Sequence, residues 1–396
     1  MKKDIIEDKN LPVIIFGAGI VGEALFNVCN EVGVKVESFC DNNKNKTKLN
    51  KCGTKVFTPA EIKEEYGDAN FLISAADIKD VVDQLEELGF SKWYAGSLLL
   101  KDFNVDKYKF NALGDFVRYA VDTCILCQDN YLNPNKLFLR SVDLIITERC
   151  SLKCKNCSNL MQYYEKPKDC DYRELKKSID SFCNIADEIN EFRILGGEPF
   201  MNKDFDLTIK RLINEPKVKK VVIYTNGTIV PEENKIDSLK DDKVLLLITD
   251  YNNLSRKLEN LTEKLSKKDI SFYVQKAQGW TNCSDIFKHY RNIEEQKKIF
   301  QNCCARNTFT LSNGKLYRCP FSANADRLRA VPNLERDYIN IFKEKNVQEM
   351  KEEIKEFIMK KDFLETCDYC NGRSFGDTEI EPAIQIKKSL EYKKYE

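Results

Sequence analysis

Three cysteines stand at the spacing CxxxCxxC in the segment Cys150-Ser-Leu-Lys-Cys154-Lys-Asn-Cys157. The 396-residue chain has sixteen cysteines but a single histidine, His289. Cysteines at short spacings in a chain of this length are more typical of metal sites than of disulfides. One histidine excludes the HExxH zinc proteases and leaves a serine or cysteine hydrolase a single candidate base. The sequence therefore predicts a loop that holds a metal centre through sulfur.

The overall charge and the apolar pattern exclude several classes of partner. Lysine plus arginine (63) balances aspartate plus glutamate (63), so no general positive field attracts nucleic acid or an anionic membrane. The apolar run 13–22 is too short to span a membrane, and no secretory leader pattern opens the sequence. P-loop and GxSxG strings do not occur. We expect a cytoplasmic protein that binds neither nucleic acid nor membranes.

Strands and helices alternate along the first hundred residues. Short apolar runs predict strands at 13–16, 34–39, 71–74 and 93–95, with helices at 21–28 and 78–88. This βαβ pattern predicts an α/β fold with a parallel sheet. We expect a Rossmann-like domain over residues 1–105 and a linker over 106–138.

A second βα series begins near residue 142. Its strands are predicted near 142–147, 192–195, 220–225, 243–249 and 270–275, separated by amphipathic helices. Such a series predicts a parallel barrel or partial barrel over 139–290, whose chemistry lies at the carboxyl ends of the strands. A last domain, 291–396, contains a further five of the sixteen cysteines.

The CxxxCxxC loop directly follows the first strand of this second series. Three thiolates within so short a loop can wrap a cubane [4Fe–4S] cluster and leave one iron without a protein ligand. A closed zinc site would need a fourth Cys or His nearby, and Cys170 and Cys183 lie farther along the chain. The spacing favours an iron–sulfur cluster held by Cys150, Cys154 and Cys157.

The second strand of the series ends in the string GGEP, residues 196–199. With CxxxCxxC one βα unit earlier, this string resembles the radical S-adenosylmethionine (SAM) enzymes. The resemblance implies a (β/α)6 partial TIM barrel whose open iron binds SAM and cleaves it to methionine and a 5′-deoxyadenosyl radical. It also implies SAM contacts from Gly196, Gly197, Glu198, Thr225 and Asn226. The Glu198 carboxylate would meet the ammonium group of SAM, while a turn is the alternative for residues 225–226.

A second group of cysteines follows the barrel. Asn313-Gly314 predicts a type I′ hairpin, because both residues tolerate positive φ. Cysteines before the hairpin, at its end and in a later CxxC resemble the twitch extension, a shortened form of the SPASM extension. This resemblance implies one auxiliary [4Fe–4S] cluster with four ligands, namely Cys319, Cys367, Cys370 and either Cys303 or Cys304. A structural zinc knot is the alternative.

The string GxGxxG lies between the first strand and the first helix. It comprises Gly17, Gly19 and Gly22, and Asp41 ends the next strand. Such glycines allow a tight turn and the approach of a pyrophosphate, while the acidic side chain accepts from a ribose hydroxyl. The domain resembles small Rossmann-type modules attached to polysaccharide-biosynthesis enzymes, which implies a nucleotide or nucleotide-sugar ligand. A docking module without a ligand is the alternative.

The combined resemblances imply a radical SAM oxidoreductase. Its twitch-like pattern is most similar to that of the aminocyclitol dehydrogenases, which implies a small carbohydrate substrate, free or nucleotide-linked. A secondary alcohol would be oxidised to a ketone, with the auxiliary cluster as electron acceptor. A flavodoxin or ferredoxin would supply the reducing electron.

Three alternatives stay open at this point. One is a sugar epimerase in which Cys283, predicted near the barrel mouth, returns a hydrogen atom. The second is a peptide-modifying maturase, and the third is a non-catalytic metal-binding scaffold. Candidate bases or substrate contacts are Arg318, Arg327 and Lys276, and spacing does not choose among them.

The other cysteines are predicted to be structural. Cys124 and Cys127 form a CxxC string with no second pair nearby. The remainder are expected to be small buried side chains: Cys29, Cys40, Cys52, Cys170 and Cys183.

Overall fold

The chain is divided into two units, one ending at Lys136 and the other beginning at Leu137. The structure is a computed structural model and describes residues 5–43, 45–47, 49–374 and 377–396. Within these residues, no helix is both long enough and apolar enough to cross a membrane.

The first unit has an α/β fold, with a mostly parallel sheet and helices between its strands. Its strands are β1 (Val13–Phe16), β2 (Val36–Cys40), β3 (Asn50–Lys51), β4 (Thr54–Phe57), β5 (Asn70–Ile73) and β6 (Trp93–Ala95). Its helices are α1 (Ile20–Val32), α2 (Pro59–Tyr66), α3 (Ile78–Glu87), α4 (Ser97–Leu100) and α5 (Gly114–Leu132). The sheet order is β3-β4-β2-β1-β5-β6, and every pairing except β3–β4 is parallel.

The predicted linker over 106–138 is wrong, because α5 belongs to the core of the first unit. Val117 and Val121 are buried in one cluster with residues of α1. The fully buried Gln128 donates to the carbonyl oxygen atoms of Ile73 (2.8 Å), the last residue of β5, and of Ala75 (2.9 Å), which follows that strand. The helix therefore covers the sheet and satisfies its backbone.

One hairpin in this unit was missed by the sequence reasoning. The turn between β3 and β4 is Cys52-Gly53, with φ of 51° and 76°. Positive φ at both positions is the type I′ pattern, which is usually signalled by Asn-Gly. The prediction that Cys52 is buried is wrong, because the turn exposes it.

The second unit contains the cysteine groups. Its first part comprises β7 (Phe138–Thr147), α6 (Tyr172–Ile185), β8 (Glu188–Gly196), α7 (Phe205–Ile213), β9 (Val218–Thr225), α8 (Glu233–Asp237), β10 (Val244–Asp250), α9 (Leu258–Lys267) and β11 (Phe272–Lys276). Its second part comprises β12 (Trp280–Thr281), α10 (Ile293–Asn302), β13 (Phe309–Ser312), β14 (Lys315–Tyr317), α11 (Pro320–Leu328), β15 (Tyr338–Asn340), α12 (Val347–Lys360) and β16 (Glu379–Ile380).

The first helix of this part begins where its sequence indicates. Asp171 caps α6 by accepting from the N–H groups of Arg173 and Glu174. Ile179 and Phe182 of α6 are fully buried in the core between the helices and the sheet. The strands alternate with these helices in an open series of parallel pairings, β7–β8–β9–β10–β11. This agrees with the predicted partial barrel.

The predicted boundary at residue 290 is not a boundary of the sheet. β13 pairs in parallel with β7, so that Thr310 lies beside Asp143. The eight-stranded order is β11-β10-β9-β8-β7-β13-β14-β15. The predicted hairpin is confirmed, since Asn313 and Gly314 have φ of 50° and 72°. The hairpin therefore extends the sheet of the partial barrel rather than standing apart from it.

Candidate metal centres

The first thiol group lies in the loop that follows β7, and the end of β8 holds this loop. Gly197 N–H donates to the carbonyl of Thr147 (2.9 Å), and Glu198 N–H donates to that of Arg149 (2.8 Å). A Cβ on Gly196, whose φ is +134°, would lie 2.2 Å from the Thr147 oxygen, and one on Gly197 would lie 2.0 Å from the Arg149 oxygen. Both glycines are thus required by the close approach of the chain's own backbone.

The Glu198 side chain is fully buried and accepts from three groups of the chain. Its donors are the Thr225 hydroxyl (2.9 and 3.0 Å), Asn226 N–H (3.0 Å) and Phe200 N–H (3.3 Å). Burial raises the pKa of Glu198 to about 7, although these donors oppose the rise. The carboxylate therefore ties the ends of β8 and β9 together, and its contact with the ammonium group of SAM stays a prediction.

Asn226 reaches from the end of β9 to the thiol loop. Its amide nitrogen donates to Ser151 Oγ (3.2 Å) and lies 3.7 Å from Cys150 Sγ. Its amide oxygen accepts from the N–H (3.1 Å) and the hydroxyl (2.6 Å) of Thr228. The segment after β9 is therefore part of the wall of the first thiol group.

The three thiols of the first group are half-buried. Burial raises the pKa of each, to about 11 for Cys154. The N–H groups of Leu152 and Met161 oppose this rise at Cys150 and Cys157. Hydrogen bonds to sulfur favour the thiolate, which is the form that binds iron. The group therefore fits a [4Fe–4S] cluster.

Aromatic side chains lie beside the same loop. Tyr251 follows β10, and its ring packs edge-on against Trp280 with 5.9 Å between the centroids. Burial raises the pKa of Tyr251, and the three neighbouring thiols add to that effect. Sequence reasoning missed this tyrosine, although its position directly after a barrel strand is a usable signal.

A second thiol group lines a cavity of about 70 Å³. Its sulfurs come from segments that are distant in sequence: Cys283, Cys303, Cys319, Cys367 and Cys370. Apolar side chains such as Phe300 and Leu364 complete the wall. Among the described residues, no three Cys, His, Asp or Glu side chains are arranged to hold a single metal ion.

Local backbone directs donors at these sulfurs. Cys319 caps α11, so that Ser322 N–H donates to its Sγ (3.3 Å). Gly372 N–H donates in the same way to Cys370 Sγ (3.4 Å). Burial raises the pKa of both thiols, to about 12 for Cys370. Half-buried thiols with N–H donors again fit a cluster held by thiolates.

One arginine fixes the CxxC turn of the second group. Arg291 Nη1 donates to the carbonyl oxygen atoms of Cys367 (2.7 Å) and Cys370 (2.8 Å). Its backbone N–H donates to the Asp368 carboxylate (2.6 Å) between them. The two sulfurs are therefore held in a fixed relation by a side chain that precedes them by more than seventy residues.

The adjacent cysteines before the hairpin differ in their surroundings. Cys303 is the residue that ends α10, and its side chain lines the cavity. Cys304 is exposed, and its N–H donates to the carbonyl of Arg373 (2.8 Å). Of this pair, Cys303 is the one that lines the cavity with the other thiols of the second group.

Cys283 lies in the wall of the second cavity. Burial raises the pKa of Cys157, Cys303 and Cys370, and Cys283 is close enough to add to all three. It is therefore near one member of the first group as well as two of the second. The predicted location near the barrel mouth did not include this proximity to the second group.

A polar layer lies on the sheet face opposite the helices. Arg193 Nε donates to Asp143 Oδ1 (2.5 Å), and its guanidinium lies 5.7 Å from the centre of the Tyr224 ring. Ser141 donates to Glu191 (2.5 Å) on the same two strands. Sequence reasoning missed this layer. Its signal is a pattern in which charged residues occupy alternate positions of otherwise apolar parallel strands.

Two of the predicted candidate bases, Arg318 and Arg327, bind other groups of the chain. Arg318 donates to the carbonyl oxygen of Lys361 (2.8 Å) and to Asn307 (2.6 Å). Arg327 forms an ion pair with Glu148 (2.8 Å). Lys276 is exposed at the end of β11. Arg318 and Arg327 therefore stabilise the fold.

The GxGxxG loop of the first unit contains one open position. A Cβ on Gly17 (φ +110°) would lie 2.4 Å from Ser74 Oγ, and one on Gly22 would lie 1.9 Å from the Gly17 oxygen. A Cβ on Gly19 would meet no atom within 4 Å. Gly17 and Gly22 are thus needed for packing, whereas Gly19 borders open space at the start of α1.

Asp41 closes this loop from the next strand. Its carboxylate accepts from Ala18 N–H (2.8 Å), Asn43 N–H (2.9 Å) and Lys46 Nζ (2.9 Å). The side chain is buried. Asp41 therefore holds the glycine loop itself, a role that the expected ribose contact did not include.

Comparisons with known proteins match both units. Residues 144–273 match the family model of the radical SAM superfamily, and residues 9–93 match the model "C2185-like, N-terminal". GTP 3′,8-cyclase of Clostridium acetobutylicum is 24% identical over 159 residues, which are 35% of this chain and 49% of that protein. GTP 3′,8-cyclase of Stenotrophomonas maltophilia is 32% identical over 89 residues, 22% of this chain and 27% of that protein. The chain thus spans about half or less of the length of these relatives.

Solved structures give a weaker likeness. BtrN in complex with AdoMet and 2-DOIA has a TM-score of 0.37 and 17% identity, over 59% of this chain and 93% of that chain. SuiB of Streptococcus suis bound to S-adenosylmethionine has a TM-score of 0.32 and 11% identity, over 69% of this chain and 76% of that chain. The match to the superfamily over 144–273 covers the thiol loop, the GGEP string and the end of β9. These residues are therefore similar to a radical SAM domain, the kind of domain that binds a [4Fe–4S] cluster and SAM.

Proposed function

We propose that the protein is a radical SAM oxidoreductase that oxidises a secondary alcohol of a carbohydrate to a ketone. The observation that carries the proposal is the pair of thiol groups in one unit. One group has three sulfurs in a single loop, and the other lines a separate cavity with sulfurs from four segments. A reaction that removes a hydrogen atom and then an electron needs both an initiating and an accepting centre.

The contacts support one ligand assignment, which is part of the proposal. Cys150, Cys154 and Cys157 hold the SAM-binding cluster, and an auxiliary cluster takes Cys319, Cys367 and Cys370. Its fourth ligand is Cys303, because that thiol lines the cavity whereas its neighbour Cys304 is exposed. Peptide N–H donors at Cys319 and Cys370 support thiolate ligation over neutral thiols.

With both clusters and SAM bound, the site would supply a 5′-deoxyadenosyl radical to take a hydrogen atom from the carbinol carbon and an acceptor for the second electron. The chain holds Gly196 and Gly197 against the thiol loop and fixes the SAM side of the site. The proton of the alcohol leaves to a base, so the product is two hydrogens lighter than the substrate.

Two features support a carbohydrate or nucleotide-linked substrate. The layer of Asp143, Arg193 and Tyr224 offers polar groups on the face opposite the helices, where hydroxyl groups can be bound. In the first unit, open space at Gly19 beside the start of α1 suits a phosphate group. We propose that this unit binds a nucleotide or nucleotide-sugar and that flavodoxin or ferredoxin supplies the reducing electron.

The experiment is anaerobic reconstitution followed by turnover. Protein with SAM and dithionite is given a panel of aminocyclitols, hexoses and nucleotide-sugars, and 5′-deoxyadenosine and product masses are measured. We expect one substrate class to raise 5′-deoxyadenosine formation and to yield a product two hydrogens lighter. Cys52→Ala, which changes an exposed thiol of the first unit, is the control that should behave as the wild type. A product of unchanged mass would overturn the dehydrogenase assignment.

A sugar epimerase is the second candidate, and the position of Cys283 favours it. This thiol is close to Cys157 and could return a hydrogen atom. The dehydrogenase is preferred because Cys283 also lines the cavity of the second group, where it is surrounded by the proposed auxiliary ligands.

A further inference from the structure

The segment 383–390 pairs with the CxxxCxxC loop although the two are more than two hundred residues apart. Lys155 N–H donates to the carbonyl of Ile384 (2.7 Å), and Ile386 N–H donates to the carbonyl of Lys153 (2.9 Å). The pairing is an antiparallel bridge. We call residues 383–390 the strap, because they cover the middle of the thiol loop.

Contacts beyond the bridge fasten the strap. Ser389 Oγ accepts from Lys153 Nζ (2.7 Å) and donates to the carbonyl of Tyr164 (3.0 Å). The rings of Tyr163 and Tyr392 then meet edge-on at 5.5 Å. The strap is therefore anchored on both sides of the loop by contacts that do not involve sulfur.

Gln385 is the strap residue that faces the metal ligand. Its Oε1 accepts from Lys153 N–H (2.8 Å), while its Nε2 donates to the carbonyl of Ala383 (2.7 Å) and to Cys154 Sγ (3.1 Å). Because a peptide N–H can only donate, the Lys153 contact fixes which end of the amide is oxygen. The NH₂ group must then point at the sulfur.

The first thiol group thus uses two kinds of donor. Cys150 and Cys157 are near N–H groups of their own loop, those of Leu152 and Met161. The donor to Cys154 comes from Gln385 instead. Hydrogen bonds to cluster sulfurs stabilise the more negative reduced cluster and so raise its reduction potential.

We propose that Gln385 is a positioning residue that donates to the Cys154 thiolate and sets the reduction potential of the SAM-binding cluster. This inference rests on the proposed function, since it requires that Cys154 ligates that cluster. The strap holds the amide in place, and the amide tunes the cluster that must deliver an electron to SAM.

The test is an EPR-monitored redox titration of the reconstituted full chain. The signal of the SAM-binding cluster is recognised as the part that changes when SAM is added. Gln385→Leu removes the donor, and Gln385→Glu puts a carboxylate against the sulfur while keeping the acceptor for Lys153. We expect the midpoint potential to fall in the first variant and to fall further in the second. Gln385 is exposed, so both variants should fold.

Ser389→Ala is the matched control, because it removes two side-chain contacts of the strap but leaves the backbone bridge and the contacts of the Gln385 amide in place. It should leave the potential unchanged, and a shift equal to that of Gln385→Leu would assign the effect to the strap and overturn the role of the amide. A second measurement uses the unmutated chain with ¹⁵N in glutamine side chains. Pulsed EPR should detect this nitrogen coupled to the reduced SAM-binding cluster, and its absence would also overturn the inference.

The two proposals fail in different ways. A wild type that assembles no cluster at the CxxxCxxC loop and cleaves no SAM would refute the proposed function. If the wild type assembles this cluster and cleaves SAM, and if both Gln385 variants have the same midpoint potential as the wild type, only the role of Gln385 is refuted.

Discussion

The two thiol groups lie in one unit but are built in opposite ways. In the first group, eight consecutive residues supply all three sulfurs, and the surrounding backbone only has to hold that loop. In the second group, the sulfurs come from a residue after β12, the end of α10, the start of α11 and a CxxC turn. The first group is a property of one loop, whereas the second is a property of the tertiary fold.

This difference has consequences for ligation. A loop with three sulfurs leaves one iron of a cubane open, which is where a small molecule can bind. A cavity with thiols on several sides closes the cluster, so that only electrons can be exchanged. The predictions below test whether the two groups behave in these separate ways.

The largest effect is expected from the first group. Replacing Cys150, Cys154 and Cys157 together by Ala should reduce 5′-deoxyadenosine formation below detection, because no site remains to bind and reduce SAM. About four of about eight irons should stay bound at the second group. Iron analysis and chromatography of the reaction check both points. SAM cleavage by this variant would show that the loop is not the initiating site.

The second-largest effect is expected when the adjacent residues Cys303 and Cys304 are replaced one at a time. Cys303→Ala should lose much of the auxiliary cluster, about four irons per chain, because its side chain lines the cavity. Cys304→Ala should keep the wild-type iron content, since that thiol is exposed. Mössbauer spectra and iron counts of the matched pair measure the difference. If instead Cys304→Ala loses the iron and Cys303→Ala keeps it, Cys304 is the fourth ligand.

The same contrast explains how far the sequence could predict the structure. CxxxCxxC, GGEP and the alternating strands are local patterns, so the partial barrel and the position of the first group could be read directly. The turn at Asn313-Gly314 was equally local and is confirmed by its positive φ angles. Features that depend on distant partners were not readable in this way.

Two residues illustrate that limit. Glu198 was predicted only as a SAM contact, and its carboxylate also accepts from Thr225 and Asn226 across two strands. Gln128 lies in a segment that resembled a linker, yet its amide satisfies the carbonyl groups of the sheet. In each case a hydrogen bond between residues far apart in sequence decides the role, and composition gives no sign of that bond.

A variant outside both thiol groups sharpens the comparison. Gly19→Val should fold normally, because a Cβ there meets no protein atom within 4 Å, but it should weaken nucleotide binding by about tenfold or more through contact with the phosphates. Calorimetry with NAD and UDP-sugars measures the binding, and iron content should not change. Gly22→Val is not a usable control, since its Cβ would clash with the Gly17 oxygen. Equal affinities of the wild type and Gly19→Val for the nucleotides would contradict the proposal that a pyrophosphate binds at Gly19.

The smallest effect is expected from Cys283, the thiol that is near both groups. If the substrate radical loses its electron to the auxiliary cluster, no thiol has to return hydrogen, and Cys283→Ala should keep the wild-type yield of a product two hydrogens lighter. Reactions in D₂O should then give a product without deuterium at the reacting carbon. Cys304→Ala is the matched control, because it removes a neighbouring thiol that lies outside the cavity.

The opposite outcome would assign Cys283 a catalytic role. A thiol proton exchanges with solvent, so an epimerase would place one deuterium in a product of otherwise unchanged mass. That deuterium would disappear in Cys283→Ala, while Cys304→Ala would retain it. We expect no such deuterium, because the side chain of Cys283 shares its cavity with four proposed ligands and lies where electrons, not hydrogen atoms, have to be accepted.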